Sequence, residues 1–174
     1  MPAQREPGRA AGGVEAVRAS PAGDSLLAFF SGSGKCVQGW DVATGAPQFA
    51  GLPITLGLVK SIATDDGGND TIATGSGRDI IVGGALADTI NAGDADNIVF
   101  GDNGFIDYVG LDGAADDIDR LSTFAPTHGG ADAITSGNGY DLIFGGTAGD
   151  TIHAGAGNDL VFGDHGKAEA TATG

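Results

Sequence analysis

Residues 139–166 read GYDLIFGGTAGDTIHAGAGNDLVFGDHG. Within them Asp141, Asp150 and Asp159 stand nine residues apart, and Ile143, Ile152 and Val161 each follow by two. Glycines crowd the positions before each Asp. An apolar centre bounded by glycine-rich stretches predicts a very short strand between tight turns. Side chains alternate faces along a strand, so the central Ile or Val is expected to point inward while its neighbours point out. Glycine supplies the positive φ that branched residues adopt only at a cost.

The same rule holds on both sides of this stretch. Asp132 and Ile134 extend the series backward, and Asp70, Asp79, Asp88 and Asn97 form an earlier series with Ile72, Ile81, Ile90 and Val99. After it, Tyr108 keeps the apolar position while Ile106 stands where Asp is due, which reads as decay of a fifth turn at the block edge. A longer period overlies the short one: GRDIIVGGALADTINAGDADNIVFGDNG, from Gly77, matches the quoted stretch with an offset of 62 residues. Because 62 is not a multiple of nine, the chain between Gly110 and His128 is expected to interrupt the regular winding. The offset also places LVKSIATDDGG, ending at Gly68, over the entry to the second block, so Asp41 to Thr64 reads as the tail of an earlier degenerate copy. The expected organisation is a loose arm over 1–25, a degenerate strand-rich or capping segment over 26–64, a first block over 65–109 and an irregular insertion over 110–128. A second block over 129–166 and a tail over 167–174 complete it.

Two nonapeptides make one coil of 18 residues, and stacked coils give two parallel sheets around a thin core. The Asp of one coil then lies over the residue 18 positions later, pairing Asp70 with Asp88, Asp79 with Asn97, Asp132 with Asp150 and Asp141 with Asp159. Stacked carboxylates repel, and a hard divalent cation with oxygen ligands reverses that penalty. Side-chain oxygens together with turn carbonyls, among them those of Gly68, Gly77, Gly137, Gly139, Gly155 and Gly157, suit the large, flexible shell of calcium better than the small octahedron of magnesium.

GGNDTI, GSGRDIIVGG, GNGYDLIFGG and GAGNDLVFGD resemble the nonapeptide GGxGxDxUx, U being bulky and apolar, of the repeats-in-toxin or hemolysin-type calcium-binding family. The resemblance covers about Asp66 to Gly166. It implies an all-β fold, a right-handed parallel β-roll of calcium-binding nonapeptides holding several Ca2+ ions, in a protein exported to the extracellular space by type I secretion. The family's ligand role falls on Asp70, Asp79, Asp88, Asp132, Asp141, Asp150 and Asp159, with Asn97 a weaker, neutral oxygen donor that Asp94 and Asp96 supplement. Leu86, Ala95 and Ala148 stand at the fourth position, where Gly is expected, so strain is predicted in their turns.

The composition agrees with a metal-binding rather than a nucleic-acid or membrane protein. The 33 glycines accompany a formal charge of -15, and 18 of the 23 acidic residues lie between Asp65 and Asp164. Nucleic acid and anionic membranes would repel such a chain. No apolar run is long enough to span a bilayer, and the first 20 residues lack the apolar region of a signal peptide. The single cysteine, Cys36, has no internal disulfide partner.

No catalytic residue is expected. His128, His153 and His165 do not form a zinc motif, no GxSxG element occurs, and FSGSGKC is an incomplete phosphate loop in which Gly32, Gly34 and Lys35 read as a turn. Trp40 and the DSLLAFF stretch before it read as a cap for the first coil. The reading is therefore a calcium-binding structural module, not an enzyme. Its alternatives are the repeat segment of a secreted hydrolase or protease whose catalytic domain lies elsewhere, or a calcium-dependent adhesion module. An extracellular protein or carbohydrate ligand is the remaining partner class.

Overall fold

The computed structural model describes Leu27–Ser31, Lys35–Cys36 and residues 56–171. Trp40 and most of the segment up to residue 55 lie outside these residues, as does the arm over 1–25. Every regular element among the described residues is a strand. In chain order these are β1 (Leu27–Ser31), β2 (Lys35–Cys36), β3 (Leu58–Lys60), β4 (Thr71–Ala73), β5 (Ile80–Val82), β6 (Thr89–Gly93), β7 (Ile98–Phe100) and β8 (Gly104–Asp107). They continue with β9 (Arg120–Thr123), β10 (Ala133–Ser136), β11 (Asn138–Gly139), β12 (Leu142–Phe144), β13 (Thr151–His153), β14 (Ala156–Gly157), β15 (Leu160–Phe162) and β16 (Lys167–Glu169).

The repeats alternate between two sheets. One has the order β13-β10-β6-β4 and is parallel throughout. The other has the order β15-β12-β7-β5-β1-β2, parallel except for the β1–β2 pair at its end. Residues 18 apart are partners, Ile72 with Ile90 and Ile81 with Val99, as the nonapeptide period requires. Ile72, Ile90 and Ile134 meet Ile81, Val99 and Ile143 in a core between the sheets. Of the DSLLAFF stretch, the described part is β1, whose backbone pairs with β5 through Leu27 and Ile80.

The third sheet departs from the two-sheet expectation. It is antiparallel, in the order β16-β9-β8-β3. The expected fifth turn does not form: Ile106 and Tyr108 belong to β8 and its exit, and Ile106 is fully buried. Without a carboxylate at position 106 the segment has nothing to offer the Asp column, and an isoleucine is better used against apolar neighbours. Ile106, Tyr108, Val59 and Leu121 pack on the outer face of β5, β7 and β12, where Ile80, Val82, Phe100 and Phe144 form a second core. Phe144 stacks between Phe100 and Phe162 at ring-centroid distances of 4.9 and 4.8 Å. The interruption leaves the winding in register, for β10 pairs with β6 and β12 with β7 as though the intervening residues were absent.

Candidate metal centre

Each turn before a strand of the two parallel sheets from β4 onward ends in an Asp or Asn, and the turns stack into two columns. In the first, the backbone N–H of Asp70 donates to Asp88 Oδ1 at 2.8 Å, that of Asp88 to Asp132 Oδ1 at 2.7 Å, and that of Asp132 to Asp150 Oδ1 at 2.9 Å. In the second, Asp79 N–H donates to Asn97 Oδ1 at 3.0 Å, Asn97 N–H to Asp141 Oδ1 at 2.8 Å, and Asp141 N–H to Asp159 Oδ1 at 3.1 Å. The eight residues read from the spacing thus fall into two columns of four, and the four pairs expected at 18 residues are present. Two further pairs, Asp88 with Asp132 and Asn97 with Asp141, bridge 44 residues across the interruption. The nonapeptide count does not reveal them, because the spacing breaks there.

The first column concentrates buried charge. Asp88 and Asp132 are each only 2 % exposed. The Oδ2 atoms of Asp88, Asp132 and Asp150 are buried with no hydrogen-bond partner. Each lies over the glycine that directly follows the preceding repeat strand: a Cβ on Gly83 would fall 2.3 Å from Asp88 Oδ2, one on Gly101 2.3 Å from Asp132 Oδ2, and one on Gly145 2.3 Å from Asp150 Oδ2. Burial raises the Asp88 carboxyl to about 8, with Asp132, Asp70 and Asp102 adding repulsion. Burial likewise raises Asp132 to about 7, with Asp102 and Asp150 adding to it. Asp70, Asp102 and Asp150 are displaced upward too, first by burial. Such a column is costly to ionise without a cation beside it.

The second column is more fully satisfied. Asp141 accepts from Asn97 N–H through Oδ1 and from the Ser136 hydroxyl through Oδ2. The Asn97 amide Nδ2 donates to the carbonyls of Ala95 at 2.8 Å and Gly93 at 3.4 Å, so a neutral donor already sits against the turn oxygens there.

The turn glycines act in two ways. At the fourth repeat position Gly77, Gly139 and Gly157 have φ of 153°, 155° and 151°, open only to glycine. Leu86, Ala95 and Ala148 occupy that position in the left-handed region at 76°, 78° and 77°, the strain expected from their sequence. Gly155 and Gly157 allow close stacking, since a Cβ on either would fall 1.9 Å from Gly137 O or 1.6 Å from Gly139 O. Gly137 O accepts from Ala156 N–H at 2.9 Å, and Gly68 lies in the turn that enters β4.

Asp102 is a member of this charged region that the repeat pattern does not single out. It is 1 % exposed and accepts backbone N–H groups of Gly130, at 3.0 Å, and Thr147. The available signal was FGDNG recurring as FGDHG, with Asp at a position where the nonapeptide has glycine. Asp94 and Asp96 hold the neighbouring coil by accepting from the N–H of Asn138 and of Tyr140, each at 2.9 Å. In the interruption, carboxylate oxygens of Asp112, Asp117 and Asp119 lie within 4.8 Å of one another. His165 contacts the hydroxyls of Thr123 and Thr147 rather than other metal-ligating groups.

Residues 64–85, 74–105 and 127–161 match the family described as RTX calcium-binding nonapeptide repeat, in 4 copies. The chain matches no curated protein and no solved structure.

Proposed function

Since this chain carries RTX calcium-binding nonapeptide repeats, we propose that it is a structural module whose folding depends on several calcium ions held along its Asp columns. The observation that carries this reading is the line of buried, unpartnered Oδ2 atoms of Asp88, Asp132 and Asp150. The ligands assigned are Asp70, Asp79, Asp88, Asp132, Asp141, Asp150 and Asp159, with turn carbonyls including those of Gly68, Gly77, Gly137, Gly139, Gly155 and Gly157. Asn97 is a neutral and weaker donor among them. Bound calcium would neutralise the stacked carboxylates and favour the closely packed turns.

The parallel pairing of both repeat sheets supports a β-roll, to which the family likeness adds a right-handed winding. That likeness also supports an extracellular protein exported by type I secretion, with calcium outside the cell driving folding that low cytosolic calcium would not. Metal binding and folding are then one equilibrium. No helix among the described residues is long and apolar enough to cross a membrane.

Calorimetric titration of calcium into chelator-treated protein, followed in parallel by circular dichroism, tests the reading. Several ions per chain and a concurrent gain of β signal are expected. No heat of binding, or an unchanged folded spectrum after exhaustive chelation, would remove it.

A further inference from the structure

The 62-residue period seen in the sequence is also a period of the hydrogen-bonding scheme. Shifting β4–β6, Thr71 with Thr89, by 62 gives β10–β13, Ala133 with Thr151. Shifting β5–β7, Ile80 with Ile98, gives β12–β15, Leu142 with Leu160. The antiparallel sheet obeys the same rule: Leu58 with Asp107 becomes Arg120 with Glu169. Even a side-chain contact repeats, for Gly104 N–H donates to Ser61 Oγ at 3.2 Å and Gly166 N–H to Thr123 Oγ1 at 3.0 Å. β3 to β8 and β9 to β16 are two units related by this shift, each contributing to both repeat sheets and to the antiparallel sheet; the short β11–β14 pair, Asn138 with Ala156, corresponds to the single bridge of Ser76 with Asp94 in the first unit.

The contact between these units defines what the equivalent faces at their outer ends are built to meet. The first unit presents β6, β7 and β8, which the second covers with β10, β12 and β9. By the same shift, β13, β15 and β16 form the corresponding face of the second unit, at the outer end of each sheet. There Val161 is 41 % exposed where its counterpart Val99 is 0 %. Leu160 is 43 % exposed. Asp150 and Asp159 hold the places of Asp88 and Asn97, whose N–H groups donate to the next carboxylates in the column. At the opposite end, β3, β4 and β5 hold the places of β9, β10 and β12, and Asp70 and Asp79 those of Asp132 and Asp141. One chain therefore carries both halves of a contact it already makes internally.

We propose that the face of β13, β15 and β16 docks the face of β3, β4 and β5 of a second copy of this chain, head to tail. The internal contact sets the register: β13 lies parallel to β4, β15 parallel to β5, and β16 antiparallel to β3. In the single chain β1 occupies the edge of β5, so the incoming β15 displaces it. Lys167 then faces Lys60, and Glu169, 2.5 Å from the Lys167 ammonium, offsets that opposition. With a net charge of -15 on each copy, association requires calcium or salt to suppress repulsion.

Sedimentation equilibrium of the full chain in calcium, from micromolar to millimolar protein, tests the docking. A head-to-tail contact does not close on itself, so the mean mass is expected to climb from 17.1 kDa without a plateau. Val161→Lys, at a side chain already exposed, should hold the mass at that of one chain with an unchanged circular dichroism spectrum. Leu160→Lys provides an independent block on the same strand. A constant single-chain mass in folded native protein overturns the docking and leaves the calcium reading standing. An unfolded spectrum in calcium overturns both. Association that survives both substitutions places the contact on another face and also overturns the proposal.

Discussion

Asn97 occupies a column position at which most of its counterparts are aspartates, and its amide supplies the turn carbonyls of Gly93 and Ala95 with a hydrogen-bond donor. Asn97→Asp replaces that donor with a charge facing the same carbonyls, recreating the arrangement assigned to calcium. The expected result is tighter calcium binding at this turn by calorimetric titration, the weakest class of sites shifting to higher affinity. An unchanged affinity at every site would exclude this turn from the binding set. Ala148 offers a separate test, because it is exposed and sits at φ 77°. The left-handed region costs a non-glycine residue roughly 1–2 kcal/mol, and glycine's extra unfolded-state freedom returns part of that. Ala148→Gly should stabilise the folded chain by about 0.5–1 kcal/mol in paired denaturation curves.

At the scale of the elements, the sequence distinguishes the two repeat sheets more finely than a count of nine does. The repeat strands of the sheet containing β5 read IIV, IVF, LIF and LVF, apolar at every position, whereas TIA, TINAG, AITS and TIH alternate. A strand apolar on both faces is covered on both, and that is the signal for the third sheet. Repeat spacing made the inward Ile and Val and the Asp columns legible because both depend on local period alone. The β8–β9 hairpin was not legible as such. Its strands are four residues each and their partners β3 and β16 lie far off in sequence, so no short-range pattern specifies the pairing. The bonds from Asp88 to Asp132 and from Asn97 to Asp141 were hidden for the same reason. Phe144 ties these layers together, fully buried between two aromatic rings. Phe144→Ala is expected to cost about 3–5 kcal/mol, read from urea denaturation in saturating calcium. A loss below 1 kcal/mol would mean that the second core contributes little to the fold.

For the whole molecule, charge and folding are linked through the first column. The Asp88 and Asp132 carboxyls sit at about 8 and about 7 in the metal-free fold, both above the ordinary 3.8. The folded chain therefore binds protons that the unfolded chain has released. Their stabilising effect is complete below the ordinary carboxylate pKa and disappears as pH rises through 7 to 8. In chelator, the β signal by circular dichroism should be greatest near pH 5 and fall toward about pH 9. Saturating calcium should flatten that fall, since the ion takes the place of the protons. A β signal in chelator that rises over this range would contradict buried, protonated carboxylates.

The shared 62-residue register also constrains how such a gene can change length. Losing nine residues would send every later strand to the opposite sheet, exchanging segments apolar throughout with segments that alternate. Losing 18 would restore the sheets but leave the antiparallel strands one pair of repeats out of step with the parallel sheets. Duplication or loss of a whole 62-residue unit preserves every pairing at once, so recombination between equivalent points can lengthen or shorten the protein without a new fold having to be found.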